Sequence, residues 1–346
     1  MESTRRPRLS PAIADVRRMV RELLPETGLV LVGLSGGADS LALAAATAFE
    51  ASRAGLRAGA VIVDHALQAG SAGVAAEAAR QAGGLGLDPV LTLRVTVDEG
   101  AGSGGPEASA RQARYAAFDR ALAETGASHV LLGHTLDDQA ETVLLGLARG
   151  SGPTSLQGMS AVSGPFLRPL LGIRRSVTRQ FCVDAGLTPW QDPHNVDPRF
   201  ARVRVRQTVL PLLEHELGPG VAEALVRTAD QLREDSGALD ALARQRADEL
   251  CEPIAGGLRL EVSGLEADPA ALRQRIIRFV LEREFGVSLH RVHTLAALRL
   301  ITDWHGQKAL DLPGVRVVRQ DGWLIFTAPG HAPSKGTSRS HGTPRH

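Results

Sequence analysis

Apolar residues in the first half of the chain fall in short runs, and helix-like stretches lie between them. Leu29-Val30-Leu31-Val32-Gly33-Leu34, Gly59-Ala60-Val61-Ile62-Val63 and His129-Val130-Leu131-Leu132 are unbroken enough to suit central strands covered on both faces. The pattern predicts strands over 29–34, 59–65, 90–97 and 129–134. It predicts helices over 11–24, 41–49, 74–85, 107–125 and 136–147. Strict alternation of strand and helix argues for an α/β fold with a doubly wound, mainly parallel sheet. From Val221 the period changes. Two long amphipathic helices, about 221–250 and 269–285, precede a shorter one near 291–302. A small β unit follows at 307–312 and 315–326, turning at Pro313-Gly314. This reads as a smaller, mainly helical domain. The expected organisation is an N-terminal segment and helix over 1–28, a sheet domain over 29–215, a helical domain over 216–328 and a disordered tail over 329–346. The Gly/Ser-rich stretch at 98–106 reads as a connector.

Composition adds limits rather than identity. The chain has 346 residues, 43% hydrophobic and 22% charged, as an ordinary two-domain globular protein would. A net charge of +1 argues against a uniformly basic nucleic-acid binder. The distribution is more telling. No carboxylate occurs from Thr142 to Val183, while Arg149, Arg168, Arg174, Arg175 and Arg179 do, and Arg199, Arg202, Arg204 and Arg206 follow. That is a local basic zone suited to phosphates. Cys182 and Cys251 form no C-x-x-C pair and are expected to be small buried residues in a reducing cytosol. No apolar signal segment or membrane span is expected.

Candidate chemistry gathers at the ends of the predicted strands. After the first strand, Ser35-Gly36-Gly37-Ala38-Asp39-Ser40 turns into a helix. Glycines allow the sharp turn, and the free N–H groups of the helix start favour phosphate. No Gly-Lys-Ser/Thr follows, so this is not a Walker loop, and it is not G-x-G-x-x-G. Ser35, Asp64, His65 and His134 all fall at carboxyl ends of strands, where ligands of such sheets bind. In Gly133-His134-Thr135-Leu136-Asp137-Asp138-Gln139-Ala140-Glu141-Thr142, His134, Asp138 and Glu141 share one helix face. A capping box from Thr135 to Asp138 accounts equally well for Asp137 and Asp138, but not for Glu141 and His134. Arg111 and Arg114, one turn apart, are either a solvated face or cations for a phosphate-centred transition state. Arg202, Arg204 and Arg206 alternate, so in an extended stretch they face one way, toward phosphate or RNA.

Taken together these motifs resemble the tRNA(Ile)-lysidine synthases, members of the ATP pyrophosphatase (PP-loop) superfamily. The matching pieces run in order: Ser-Gly-Gly-x-Asp-Ser at 35–40, Val-Asp-His at 63–65, Glu-x-x-x-Arg-x-x-Arg-Tyr at 107–115, Gly-His-x-x-Asp-Asp-Gln-x-Glu-Thr at 133–142, and Asp-Pro-x-Asn-x-Asp with its arginine run from Asp192. The resemblance implies a Rossmann-like PP-loop fold and a ligase, with 29–215 as the ATP-binding catalytic domain and 216–328 as a mainly helical tRNA-binding domain. ATP adenylates the C2 carbonyl oxygen of the wobble cytidine of CAU-anticodon tRNA(Ile), and the side-chain amine of free L-lysine then displaces AMP. It implies ATP at Ser35, Gly36, Gly37, Ala38, Asp39, Ser40 and His65, with Mg²⁺ accompanying ATP and Asp39 its candidate ligand. It further implies Asp39, Arg111, Arg114, His134 and Asp138 as catalytic, Asp138 and Glu141 as lysine-binding, and Arg202, Arg204 and Arg206 as tRNA-binding. The setting implied is the cytoplasm, away from membranes, and a homodimer is left open. Two positions depart from the family pattern, Val203 and Gln207, which stand where Asn and His are usual. One C-terminal domain is expected where longer members carry another. A tRNA thiolase would need suitably spaced cysteines, an amidating synthetase would bring an ammonia-supplying domain, and a plain tRNA-binding module would not need this set of acids and arginines.

Overall fold

β1 (Leu29–Gly33) shows why the chain folds as it does. Val30 and Val32 turn to one side of the sheet and Leu29 and Leu31 to the other, and all four are buried. Each fully buried side chain of this kind stabilises the fold by roughly 1.5–3 kcal/mol. In the computed structural model, which describes residues 9–65, 70–96, 105–150, 152–192 and 196–329, β1 lies at the centre of a six-stranded sheet. Its partners are β2 (Arg57–Asp64), β3 (Val90–Arg94), β4 (His129–Leu132), β5 (Val162–Ser163) and β6 (Phe166–Leu167), in the order β3-β2-β1-β4-β6-β5. Every pairing is parallel except that of β5 with β6. Val32 stands opposite Ala60 on one side and Leu131 on the other.

Helices cover both faces. α1 (Pro11–Leu23), α2 (Ala38–Ala54), α3 (Ser71–Gly84) and α7 (Arg175–Asp184) contribute to the core on the Val30 side. α4 (Gly105–Thr125) supplies Ala117, Phe118 and Ala121 to the other. The order of strands reverses about β1, so the crevice beyond the ends of β1 and β4 is the topological switch point, where ligands bind in such sheets.

The remaining elements of this unit are α5 (Leu136–Ala148), the short α6 (Pro153–Leu156), a 3-10 turn at Pro169–Gly172, α8 (Ala201–Arg204), a π-helical turn at Val205–Val209 and α9 (Leu210–Leu217). α10 (Val221–Leu250) follows, and the chain divides into two compact units between Leu232 and Arg233, inside it. The sequence placed that boundary near 215. Ala222 and Val226 pack with Leu136, Ala140, Val205 and Leu210, which ties the start of α10 to the first unit. α1, expected as a separate leader, buries Val16 and Val20 in the same core as α2 and α7.

The second unit is a five-stranded antiparallel sheet with helices, of order β7-β8-β11-β10-β9. Its elements are β7 (Cys251–Ile254), β8 (Gly257–Glu261), α11 (Val262–Ala267), α12 (Ala270–Phe285), α13 (Arg291–Thr302), β9 (Leu310–Leu312), β10 (Val315–Gln320) and β11 (Trp323–Thr327). The single strand expected over 315–326 is two, joined at Asp321-Gly322, where both residues take positive φ. The β7–β8 hairpin was not anticipated. Its signal is the alternation Leu258, Leu260, Val262, all buried. Cys251, expected to be buried, is half-buried because it begins the edge strand, whereas Cys182 is fully enclosed. Of the connector expected over 98–106, residues 98–104 lie outside the described residues, and Gly105 and Pro106 instead open α4. The tail expected over 329–346 lies outside them from 330 onward.

Candidate active site

The phosphate-binding candidate is built from backbone and hydroxyls. Gly36 takes φ 82°, a conformation that strains any residue with a Cβ. Its carbonyl accepts a hydrogen bond from the Trp190 N–H at 2.9 Å. The Ser40 hydroxyl accepts from the Ser35 N–H at 3.2 Å, donates to the Gly37 carbonyl at 3.0 Å, and lies 3.1 Å from the Ser35 hydroxyl. α2 begins at Ala38, earlier than the spacing predicted, with Gly37 as an N-cap that has no side chain to cap the first turn. The N–H groups of that turn are therefore left for a ligand. β4 ends at Leu132, and Gly133 passes close to this helix start. A Cβ on Gly133 would sit 3.1 Å from backbone atoms of Asp39 and Ser40.

The acids on α5 are not open carboxylates. Thr135 and Asp138 form the capping box, with the Thr135 N–H donating to Asp138 Oδ2 at 2.8 Å. Arg175 then joins Asp138 (Nη2–Oδ1, 2.7 Å), Glu141 (Nη1–Oε1, 3.3 Å) and Asp39 (Nε–Oδ2, 3.4 Å), while its backbone N–H donates to Asp137 at 2.7 Å. Arg206 grips both oxygens of Glu141, at 2.7 and 3.0 Å, and reaches Asp138 at 3.2 Å. Arg202 donates to the Thr142 hydroxyl at 2.8 Å and lies 3.4 Å from Glu141, too poorly aligned for a hydrogen bond through its Nε. Glu141 is completely buried beneath these three guanidiniums. Both Asp39 oxygens have partners, since the Thr178 hydroxyl donates to Oδ1.

Arg202, Arg204 and Arg206 thus do not alternate along an extended edge. They lie on α8 and the π turn, a helical run. Four-residue spacing sends Arg202 and Arg206 to one face, toward the α5 acids. Arg204 is exposed and donates to the carbonyls of Pro198 and Arg199 at 2.7 and 2.9 Å. The apolar Val203, Val205 and Leu210, all buried, set the helical register that alternation of charge concealed.

The histidines and α4 arginines stand beside this cluster. Arg114 Nε lies 3.4 Å from His65 Nε2. Arg111 donates to the Tyr115 hydroxyl at 3.2 Å and stacks over its ring, and Arg168 donates to the same hydroxyl at 3.1 Å. Burial pushes His134 down to about 4, with Asp138 opposing and Arg168, Arg111 and Arg202 reinforcing. Burial and Arg114 lower His65 as well. Both rings are neutral at neutral pH, and the Nδ1 of each is buried without a protein partner. Burial alone would raise Asp138, but Arg175, the Thr135 N–H, His134 and Arg206 hold it below the usual carboxylate range. Asp39 is raised, because burial outweighs Thr178 and Arg175. Burial would lower Arg175, but Asp138, Glu141, Asp39 and Asp137 hold it above its ordinary value.

Sequence reasoning missed Arg175 and Thr178 as members of the site. The available signal was a pair of arginines, Arg174-Arg175, opening a helix whose positive end disfavours them. Only facing acids make that placement stable. Arg174 lies 3.4 Å from Asp137 and 3.4 Å from Glu223.

The sequence profile described as a PP-loop domain matches residues 11–213. A tRNA(Ile)-lysidine synthase of Leifsonia xyli is 67% identical over 299 residues, covering 86% of this chain and 89% of its own. The chain belongs to the tRNA(Ile)-lysidine synthase family. A synthase of Streptomyces coelicolor is 53% identical over 312 residues, covering 89% of this chain and 87% of its own. The profile described as a TilS substrate binding domain matches residues 260–325 of this family member, within the second unit. The U34-tRNA thiolase NcsA from Methanococcus maripaludis, with its [4Fe-4S] cluster, superposes with a TM-score of 0.56 at 20% identity over 64% of this chain and 80% of its own, which shows a shared fold. In this lysidine synthase relative, Cys182 donates to the Ala38 carbonyl at 3.4 Å, its thiol pushed up to about 11 by burial and Asp39, and Cys251 lies in the other unit.

Among the described residues, no three His, Cys, Asp or Glu side chains converge as a metal centre. A Mg²⁺ carried by a triphosphate needs only one or two carboxylates. Asp39 is the carboxylate on the phosphate loop that would take such a role, through the Oδ2 whose contact with Arg175 is long at 3.4 Å, while Thr178 holds Oδ1. No helix among the described residues is long and apolar enough to cross a membrane.

Proposed function

We propose that this chain is an ATP-dependent tRNA(Ile)-lysidine synthase whose two half-reactions share one cleft at the switch point. One observation carries the reading. A single guanidinium, Arg175, touches Asp39 on the phosphate loop and Asp138 and Glu141 on α5. Activation of the base and arrival of the amine then take place within a side chain's length of each other.

In the first step, the C2 carbonyl oxygen of the wobble cytidine attacks the α-phosphorus of ATP, and pyrophosphate leaves. The open N–H groups after Gly37, with the Ser35 and Ser40 hydroxyls, bind the phosphates, and Arg111 and Arg114 stabilise the charge that develops. Asp39 would hold a Mg²⁺ brought with ATP, and the ion would screen phosphate charge. In the second step, the side-chain nitrogen of lysine bonds to C2, and AMP leaves with the former carbonyl oxygen. The amine must first lose its ammonium proton. Asp138 and Glu141 draw the ammonium in by Coulomb attraction. It would replace Arg206 or Arg202, whose side chains are 24% and 30% exposed, rather than Arg175 at 12%. His134, neutral and with a free Nδ1, suits hydrogen bonding to the cytidine or AMP. A base of such low pKa is a poor acceptor for an ammonium proton. ATP, free lysine and tRNA meet in the cytoplasm, where the enzyme would act.

AMP release measured with CAU-anticodon tRNA(Ile) and lysine, each omitted in turn, tests the reading. Release should require tRNA, and stable transfer of labelled lysine to tRNA should require ATP. Release of AMP without tRNA, or no lysine transfer with all three present, overturns it.

A further inference from the structure

Arg168 is a buried cation without a counter-charge. It follows β6, where alternation sends Leu167 to the core on the Val30 side and Phe166 and Arg168 to the side of α4. The residue is only 5% exposed. Its Nη1 donates to the Ser160 carbonyl at 2.9 Å and its Nη2 to the Tyr115 hydroxyl at 3.1 Å, while Nε is buried with no partner. No carboxylate pairs with it among the described residues. Two neutral acceptors do not offset a charge taken out of water, so the missing counter-charge is expected from a ligand.

Tyr115 shows what kind of ligand. Phe166 and Phe118 hold its ring edge-on, at centroid distances of 4.8 and 5.9 Å. Its oxygen accepts from Arg168 and also from Arg111, at 3.2 Å. Guanidiniums only donate, so the phenol accepts twice and keeps its own proton to give. No described residue takes that proton. Two cations and one free O–H donor call for an anionic oxygen. The group also stands at the right edge of the sheet. Leu167 lies opposite Leu131, which puts Arg168 level with the end of β4, and β4 separates β6 from β1. Two strand spacings are about 10 Å, so a nucleotide with its outer phosphates in the loop after β1 brings its α-phosphate into the interval.

We infer that the Tyr115 hydroxyl is a further catalytic group, donating a hydrogen bond to a non-bridging oxygen of the α-phosphate, and that Arg168 is the positioning residue that aims it. This rests on the two-step reaction proposed above, in which the α-phosphate is common to both steps. It gains charge as the C2 oxygen bonds to phosphorus and pyrophosphate departs. It gains charge again as the C2–O bond breaks and AMP departs with that oxygen. A donor fixed beforehand stabilises both without reorganising. The hydroxyl keeps its proton throughout.

Tyr115→Phe removes only the hydroxyl and keeps the ring against Phe118 and Phe166. Single-turnover release of labelled pyrophosphate with tRNA, and the following transfer of labelled lysine, should each slow about 10²-fold, with KM values within about twofold of wild type. The sharper readout uses the two diastereomers of ATP that carry sulfur on the α-phosphate. Wild type should turn over one far more slowly than the other, and Tyr115→Phe should narrow that gap about tenfold. Arg168→Lys keeps the charge but loses the fork. It should slow the first step about tenfold on its own and add nothing to Tyr115→Phe. Should Arg168→Lys fail to fold, the Tyr115→Phe results decide alone. Wild-type rates in Tyr115→Phe overturn the proposal. So does a slowed variant whose diastereomer gap equals that of wild type, because the hydroxyl then only ties α4 to β6. Additive losses in the double variant overturn the role of Arg168. A wild type that releases no pyrophosphate with tRNA would instead remove the reading beneath.

Discussion

The phosphate loop and the acid cluster on α5 lie side by side yet are stabilised in opposite ways. Apart from Asp39, whose carboxylate meets Arg175 and Thr178, the loop is held by neutral groups, the Ser40 hydroxyl and the Trp190 N–H, and it leaves helix N–H groups unfilled. The cluster is held by charge, and its carboxylates already have guanidiniums on them. A neutral scaffold with free donors is ready for an anion at no cost of exchange. A satisfied ion network accepts a cationic ligand only by giving up a partner. Removing one member also leaves buried charge uncompensated, which destabilises far more than the pair stabilises. The loop should therefore fail in function without failing in stability, and the cluster in both.

The largest effect is expected in the loop. Asp39→Ala should cut AMP formation by at least about 10³-fold, as loss of a group at a charge-stabilising site does, with the circular dichroism spectrum unchanged. Wild-type AMP formation in this variant would reduce Asp39 to an acid favoured by its helix start.

Glu141→Gln breaks the comparison from the other side. It leaves Arg175, Arg202 and Arg206 without their shared carboxylate and should cost about 3 kcal/mol in urea unfolding. It should also raise the lysine requirement more than the ATP requirement. Unchanged stability would mean that water already reaches the cluster.

The pH dependence of stability reports the same dryness. His134 is pushed down to about 4 by burial, against about 6.5 when unfolded. Between these values the unfolded chain takes up a proton that the folded one refuses. The contribution is present in full above pH 6.5 and is lost as pH falls toward 4, by about 3 kcal/mol in total. Unfolding free energies of wild type and His134→Gln, subtracted at each pH, isolate it from the carboxylates. A flat difference across that window would place the ring in contact with solvent.

The smallest effect separates the arginines of the helical run. Arg204→Ala should leave unfolding within about 0.5 kcal/mol of wild type, as for an exposed substitution, and lower the salt slope of tRNA binding by about one unit. Arg206→Ala should instead cost stability, because it strips Glu141 of its two shortest ion-pair contacts. Equal behaviour of the two variants would put Arg204 and Arg206 in one environment and end the distinction between cluster and surface.

The sequence by itself determined the strand–helix alternation, the glycine turn after β1 and the capping box at Thr135. These depend on local spacing, backbone conformation and side chains three residues apart, all of which a linear chain displays. It also placed Ser35, Asp64, His65 and His134 at strand ends, since strand ends follow from the same spacing. Tertiary structure decided what the charges meet. Arg175 lies more than thirty residues from Asp138 and Glu141, and only the packing of α7 against α2 beside α5 brings them together. Alternating arginines at 202–206 suggested an extended edge, but the burial of Val203 and Val205 favoured a helix and divided the three between a buried cluster and the surface. The β7–β8 hairpin likewise took form only as part of a sheet, where β11 supplies the partner for β8 that a short alternating segment needs. Charge acts through distance in space, and spacing along the chain fixes that distance only within a single element.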